Sequence, residues 1–352
     1  MTRSNRKVSA IALTLLASAS APSFAQDNFK VCWSIYAGWM PWAYGQQAGI
    51  VDKWAEKYDI SIDVVQINDY VESINQYTAG EFDACTMAQM DALTIPAVGG
   101  VDSTVLIAGD YSNGNDAIIL MDSDNLADIK GRNVNLVEYS VSHYLLARGL
   151  DSIGMSEKDV QVINTSDADL VSVFGIDGVN ATVTWNPLVS EILAIPATHD
   201  VFNSSMIPGE IIDGLVVNTE TLKANPALGK ALTGAWFEIM SEMNGDSESA
   251  ELARTIMAEA AETDLAGYDA QLAKTHMYYT PESALELVNS PKLVETMRHV
   301  AEFSFDHGLL GEGAPSADIV GIEMPAGVFG DPNNIKLRFD NTYMQMAADG
   351  QL

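Results

Sequence analysis

The chain has 352 residues, with 48 Asp and Glu against 18 Lys and Arg, and a formal net charge of −30 at pH 7. Acidity of this order makes nucleic acid and anionic membrane surfaces poor partners. Two cysteines, Cys32 and Cys85, exclude a CxxC redox or zinc site by count.

At the N-terminus Arg3, Arg6 and Lys7 precede an apolar run over 8–17, and Ser23-Phe24-Ala25 has the small-x-small form of a signal peptidase site. A signal peptide over 1–25 is expected, with a mature chain from Gln26. The apolar run is short of the ~20 residues of a spanning helix, and no Cys follows the cleavage site to carry a lipid. An exported, soluble protein is the expectation, and strong surface acidity also suits a saline exterior.

The first strand of the mature chain is predicted over 29–36. It runs into Trp33-Ser34-Ile35-Tyr36-Ala37-Gly38-Trp39-Met40-Pro41-Trp42-Ala43-Tyr44-Gly45, which holds three of the six tryptophans. A strand ending in a Gly/Pro-broken loop before a helix is where α/β proteins place ligand pockets. Aromatic walls there suit a flat or cationic small molecule. Tyr36, Trp39 and Trp42 are the candidates, while Trp33, inside the strand, reads as core.

Further strands are predicted over 60–66, 84–87, 104–108, 117–121, 133–137, 160–163, 181–184 and 214–218, with helices between them at 70–79 and 141–152 among others. This alternation predicts a mostly parallel sheet with covering helices. Both cysteines fall in strands, where buried free thiols are the expectation and one disulfide the alternative. Beyond Asn218 the pattern becomes almost pure helix, with Pro226, Pro281 and Pro291 near helix starts.

Asp110-Tyr111-Ser112-Asn113-Gly114-Asn115-Asp116 and Ile207-Pro208-Gly209-Glu210 break the chain on either side of a compact α/β block. They read as two crossings between lobes, and hence as a hinge and a cleft. One lobe is expected from 26–113 with 212–352, the other from 114–211. The first break mimics a calcium loop, but its glycine is at position five and Met121 takes the place of the closing Glu. The five histidines show no HExxH spacing, and neither a phosphate loop nor a G-x-S-x-G elbow is present, so no metal, cofactor or catalytic set is assigned.

In order and spacing, the aromatic loop, Gly80-Glu81-Phe82-Asp83-Ala84, Leu126-Ala127-Asp128-Ile129-Lys130-Gly131-Arg132-Asn133-Val134, Tyr144-Leu145-Leu146, Val183-Thr184-Trp185-Asn186-Pro187, Asn225-Pro226-Ala227 and Tyr279-Thr280-Pro281-Glu282-Ser283-Ala284 resemble the solute-binding proteins of ABC importers in the nitrate, sulfonate and taurine (NMT1-like) group. The wording of the aromatic loop and of Met87-Ala88-Gln89-Met90-Asp91-Ala92-Leu93 is most similar to the branch associated with urea carboxylase, whose relatives act on guanidine. The resemblance implies an α/β, bilobal periplasmic binding protein of type II: two doubly wound mixed-sheet domains joined by a two-crossing hinge, with a helical C-terminal return. It also implies a periplasmic, monomeric, non-enzymatic protein that captures a small nitrogen compound and delivers it to an ABC permease.

An anion pocket needs Ser or Thr at helix N-termini and Arg, yet none of the arginines falls in a predicted pocket loop. Acids do: Asp69 and Asp91 at predicted strand ends, Glu138 after 133–137, and Asp213 at the return between lobes. Asp69 and Asp91 also fit helix N-caps. Carboxylates in plane with aromatic faces above and below match guanidinium, a planar cation rich in donors. Trp185 and Asn186 can close the cleft from the second lobe, and Gln89 can add an amide. A urea or amide ligand, a sulfonate or nitrate, and an exported enzyme on the same fold remain the alternatives.

Overall fold

The computed structural model describes residues 27–176, 178–311 and 313–352. The expected signal segment and its cleavage site at Ala25 lie outside the described residues. Fourteen strands form two sheets among them. Before the first crossing come β1 (Asp27–Trp33), β2 (Ile60–Gln66), β3 (Ala84–Ala88) and β4 (Ser103–Ser112). The inserted block holds β5 (Asp116–Met121), β6 (Asn133–Leu136), β7 (Gln161–Asn164), β8 (Ala181–Trp185) and β9 (Thr198–Asn203). The return supplies β10 (Ile212–Asn218), β11 (Thr275–Met277), β12 (Gly321–Met324), β13 (Gly327–Phe329) and β14 (Ile335–Phe339).

The larger sheet runs β13-β12-β14-β4-β10-β3-β1-β2, with β11 on β4, and the smaller runs β7-β6-β8-β5-β9. This is the mixed α/β, bilobal architecture expected. In the first lobe β1 and β3 are parallel, and β10 lies antiparallel between β3 and β4. The C-terminal ends of β1, β3 and β4 and the start of β10 therefore share one edge. In the second lobe β5 is antiparallel to β8, which brings the start of β5 and the end of β8 to one edge. The chain passes between the sheets twice, from Ser112 to Asp116 and from Asn203 to Ile212.

Helix punctuation follows the local chemistry. Pro226, Pro281 and Pro291 each occupy the first helical position, where the missing N–H costs no intrahelical bond. The buried helix Pro226–Met243 packs Trp236 on Trp42, ring centroids 5.3 Å apart.

Three expectations are corrected. Cys32 and Cys85 are joined in a disulfide: the β1–β3 register sets them directly opposite, with Cα atoms 4.4 Å apart. The C-terminal return is not almost pure helix, since β11 to β14 extend the larger sheet. They are only three to five residues long, too short to show a period, and Gly and Pro flank β12 and β13. The strand β9, an edge strand of sequence THDVFN, was not expected because its polar residues mask the apolar signal.

Candidate functional site

The two sheet edges face each other across a narrow cavity of about 10 Å³, room for a water-sized group. The first lobe lines it with Tyr36, Trp39, Tyr70, Ala88 and Asp213, the second with Asp116, Val141 and Trp185, and the second crossing with Ile211. The rings form a continuous wall. Tyr36 meets Trp39 edge-on at 4.9 Å, Trp39 meets Tyr70 at 5.5 Å, and Tyr70 meets Trp185 edge-on at 5.4 Å.

Four buried carboxyl groups converge here. The β10–β4 register sets Asp213 opposite Asp110, and the β5–β8 register sets Asp116 opposite Trp185. Asp91 sits in the short helix Gln89–Ala92 that follows β3. Two wall tyrosines reach these acids: the Tyr36 hydroxyl donates to Asp110 Oδ1 at 2.8 Å, and the Tyr70 hydroxyl to Asp91 Oδ2 at 2.5 Å. Tyr70 Oη also accepts from the Ala88 backbone N–H, which fixes the ring. Gly38 lets the aromatic loop lie against this cluster, because a Cβ there would collide with Asp110 Oδ2 and the Tyr36 ring.

The electrostatics are lopsided. Among the described residues the ion pairs of the chain lie elsewhere, and no Lys, Arg or His pairs with any of the four acids. Asp91 Oδ1, Asp110 Oδ2 and Asp213 Oδ2 are buried without a hydrogen-bond partner. Burial pushes Asp91 and Asp116 up to about 7 and Asp110 up to about 8. Burial, then the charges of Asp110 and Asp116, raises Asp213 well above the usual carboxylate range. Burial also raises the Tyr36 and Tyr70 hydroxyls, so both remain donors. A site that buries this many acids without a basic partner is chemically matched to a cation.

Of the residues singled out from sequence, Tyr36, Trp39, Trp185 and Asp213 line the cavity, and Asp91 is bonded to its Tyr70 wall. Trp42 lies in the core under Trp236 rather than in the cavity. Asp69 caps the helix Tyr70–Thr78 by accepting from Glu72 N–H, and it accepts from Ser166 Oγ across the cleft at 2.7 Å. Gln89 ties down the second crossing, donating to the Glu210 carbonyl and accepting from Ile212 N–H. The Asn186 side chain accepts from Ser190, and its carbonyl accepts from Ala37 N–H of the other lobe at 3.2 Å.

Glu138 is half-buried in an outer groove with Tyr139, His143 and His307, away from the cavity. The strand β6 stops at Leu136, and the chain turns outward at Tyr139, which has φ of 65°. Asp110, Asp116 and Tyr70 were not singled out. Asp110 belongs to β4, which runs on to Ser112, and Asp116 opens β5. The available signal was that the two acids bracket the first crossing.

The lobes are closed on one another. Trp185 Nε1 donates to the Ile35 carbonyl at 3.1 Å, and Tyr70 N–H donates to Asp167 Oδ1 at 3.3 Å. Near the second crossing Arg148 donates to both Glu210 oxygens, at 2.8 and 3.0 Å, and the Tyr144 hydroxyl donates to Glu210 at 2.6 Å. Among the described residues no helix is long and apolar enough to cross a membrane.

Residues 53–238 match the family model described as NMT1/THI5 like. A relative from Brucella abortus (strain 2308), named as a binding protein, is 27% identical over 149 residues, which cover 40% of this chain and 44% of that protein. The match thus spans less than half the length of that relative. Among solved structures, the alkanesulfonate-binding protein SsuA from Xanthomonas axonopodis pv. citri bound to MOPS superposes with a TM-score of 0.67 at 14% identity, covering 82% of this chain and 96% of that one. The periplasmic nitrate-binding protein NrtA from Synechocystis PCC 6803 superposes with a TM-score of 0.58 at 12% identity, covering 93% and 99%. At these identities the likeness concerns the fold alone.

Proposed function

The chain belongs to the NMT1/THI5-like family, and from that premise we propose that it is the periplasmic solute-binding component of an ABC importer that captures a small nitrogen-rich cation, best matched by guanidinium. One observation carries the ligand assignment: four buried carboxyl groups, with no basic partner among the described residues, beside a narrow, aromatic-walled cavity. Guanidinium is planar, permanently charged and donor-rich, so it can bond to several carboxylates in its plane while its faces stack on the rings. A desolvated cation–π contact adds about 2 kcal/mol.

The sulfonate and nitrate named for the structural relatives carry the opposite charge, and these acids repel them. Urea shares the outline of guanidinium without its charge and leaves the carboxylates uncompensated. The proposed role is capture and delivery to a membrane permease by a monomer, with no covalent chemistry, and it agrees with the urea carboxylase-associated likeness of the aromatic loop. An exported enzyme on this fold would turn over the bound compound without a transporter.

The test is calorimetric titration of ligand-stripped protein with guanidinium, urea, taurine and nitrate at micromolar to low millimolar levels. Saturable binding of guanidinium alone is expected. Binding of urea or of an anion in its place would refute the cation assignment.

A further inference from the structure

Outside the cavity, a second polar cluster joins the lobes. His143 lies in the helix Val141–Ser152 and Glu157 in the turn Glu157–Asp159, both in the second lobe. His307 lies in the first lobe, directly after the helix Pro291–Asp306. His143 Nε2 is 2.7 Å and His307 Nε2 is 3.1 Å from the same oxygen, Glu157 Oε1. Phe303, one turn before His307, stacks on its ring at 4.0 Å and meets Tyr144 of the second lobe edge-on at 4.8 Å.

The opposite ring nitrogens fix the protons. His143 Nδ1 accepts from Tyr139 N–H at 3.1 Å, so its Nε2 carries a hydrogen on the side that faces Glu157. His307 Nδ1 is 2.8 Å from the Phe303 carbonyl, an acceptor only, so Nδ1 carries a hydrogen. A neutral His307 would then turn its Nε2 lone pair toward a carboxylate. The contact is favourable only when His307 is protonated on both nitrogens.

We propose that His307 is a proton-operated latch of lobe closure: as an imidazolium it bridges to Glu157 across the lobes, and its deprotonation releases that bridge. The inference does not depend on which ligand fills the cavity. The bond to Glu157 raises His307 above its usual range although burial opposes it. Burial would raise Glu157, but the bonds from the two histidines outweigh it and hold it at about 2. The other charged groups facing this groove are Glu138, Asp151, Asp306 and Lys158, with Tyr139 at its rim. Acids outnumber the one lysine, which favours the imidazolium. Because closing raises the affinity of His307 for its proton, the latch is fully formed below the ordinary histidine range and is lost as pH rises through the raised value.

The experiment reads the distance between lobes in the full ligand-free chain, by electron–electron double resonance between spin labels placed through Ile176→Cys and Leu252→Cys, one exposed site on each lobe. In the wild-type background the closed-to-open ratio is expected to fall roughly three- to tenfold between pH 6 and pH 8.5. His307→Gln and Glu157→Gln should reduce that dependence to the part contributed by the buried cavity carboxyls, whereas His143→Gln should retain it in full, since His143 and Glu157 lie in the same lobe and their contact does not cross between lobes. A wild-type ratio that does not change with pH, or the same dependence in His307→Gln, would overturn the latch. Unchanged far-ultraviolet circular dichroism of each variant establishes that it is folded.

Discussion

Replacing Asp213 by Asn separates a cation site from an ordinary buried polar cluster, because the two predict opposite changes in the empty protein. Asp213 is 4% exposed, has an unpartnered Oδ2 and is raised well above the usual carboxylate range. A carboxyl raised on folding adds stability below its unfolded value near 3.9, and that contribution is lost as pH rises through the raised value. The near-isosteric amide cannot ionise. Asp213→Asn should therefore raise the melting temperature of the ligand-free protein at pH 8.5, and raise it by less at pH 5, nearer the unfolded value. Toward guanidinium the same variant loses a charge-assisted hydrogen bond worth about 1.5 to 3 kcal/mol, a roughly 10- to 150-fold loss of affinity. Calorimetry at pH 7.5 with thermal melts at both pH values measures the two effects, and Glu138→Gln, outside the cavity, serves as the control that alters neither. A guanidinium affinity within twofold of wild type in Asp213→Asn, or a melting temperature that drops at pH 8.5, would refute the reasoning.

Three further outcomes are expected. With Asp110 raised to about 8, only about a tenth of it is ionised at pH 7, so in the His307→Gln background guanidinium affinity should climb roughly tenfold from pH 7 to pH 9. Titrations in buffers of differing ionisation enthalpy should then show proton release on binding. Trp185→Ala removes a cavity wall and the bond to the Ile35 carbonyl, and should weaken guanidinium by about 2 to 3 kcal/mol in the same calorimeter. Cys32→Ala with Cys85→Ala opens a loop with a sequence separation of 53 and should lower the unfolding free energy in urea by up to about 4 kcal/mol, while leaving the guanidinium affinity within a few-fold.

The general architecture was legible because its signals are periodic and local. Strands such as β2 and β5 are short apolar runs bounded by turns, and the prolines mark helix starts. The short C-terminal strands were not legible, since three to five residues cannot display a period and their pairing depends on distant partners. At the site, sequence placed Trp39, Asp91 and Asp213 at strand tips, and the structure sets all three at or against the cavity. Glu138 went the other way: the fold turns it outward at a residue with positive φ, which side-chain pattern does not encode. Asp110 was hidden for another reason. Asp110 to Asp116 looks like one polar loop, yet β4 runs through its first three residues, and only the pairing of β4 with β10 sets Asp110 against Asp213.

The strand β10 occupies a central position in the larger sheet, between β3 and β4, but it follows the whole second sheet in the chain. During folding, β3 can pair early with β1 and β1 with β2, yet β4 has no partner among them until β10 arrives after the inserted block. Such a distant pairing is an intrinsically slow step. The register that brings Asp213 to Asp110 is completed in that step, so ligand capture reports a finished chain, and a fragment ending before Ile212 would hold half a sheet and no site.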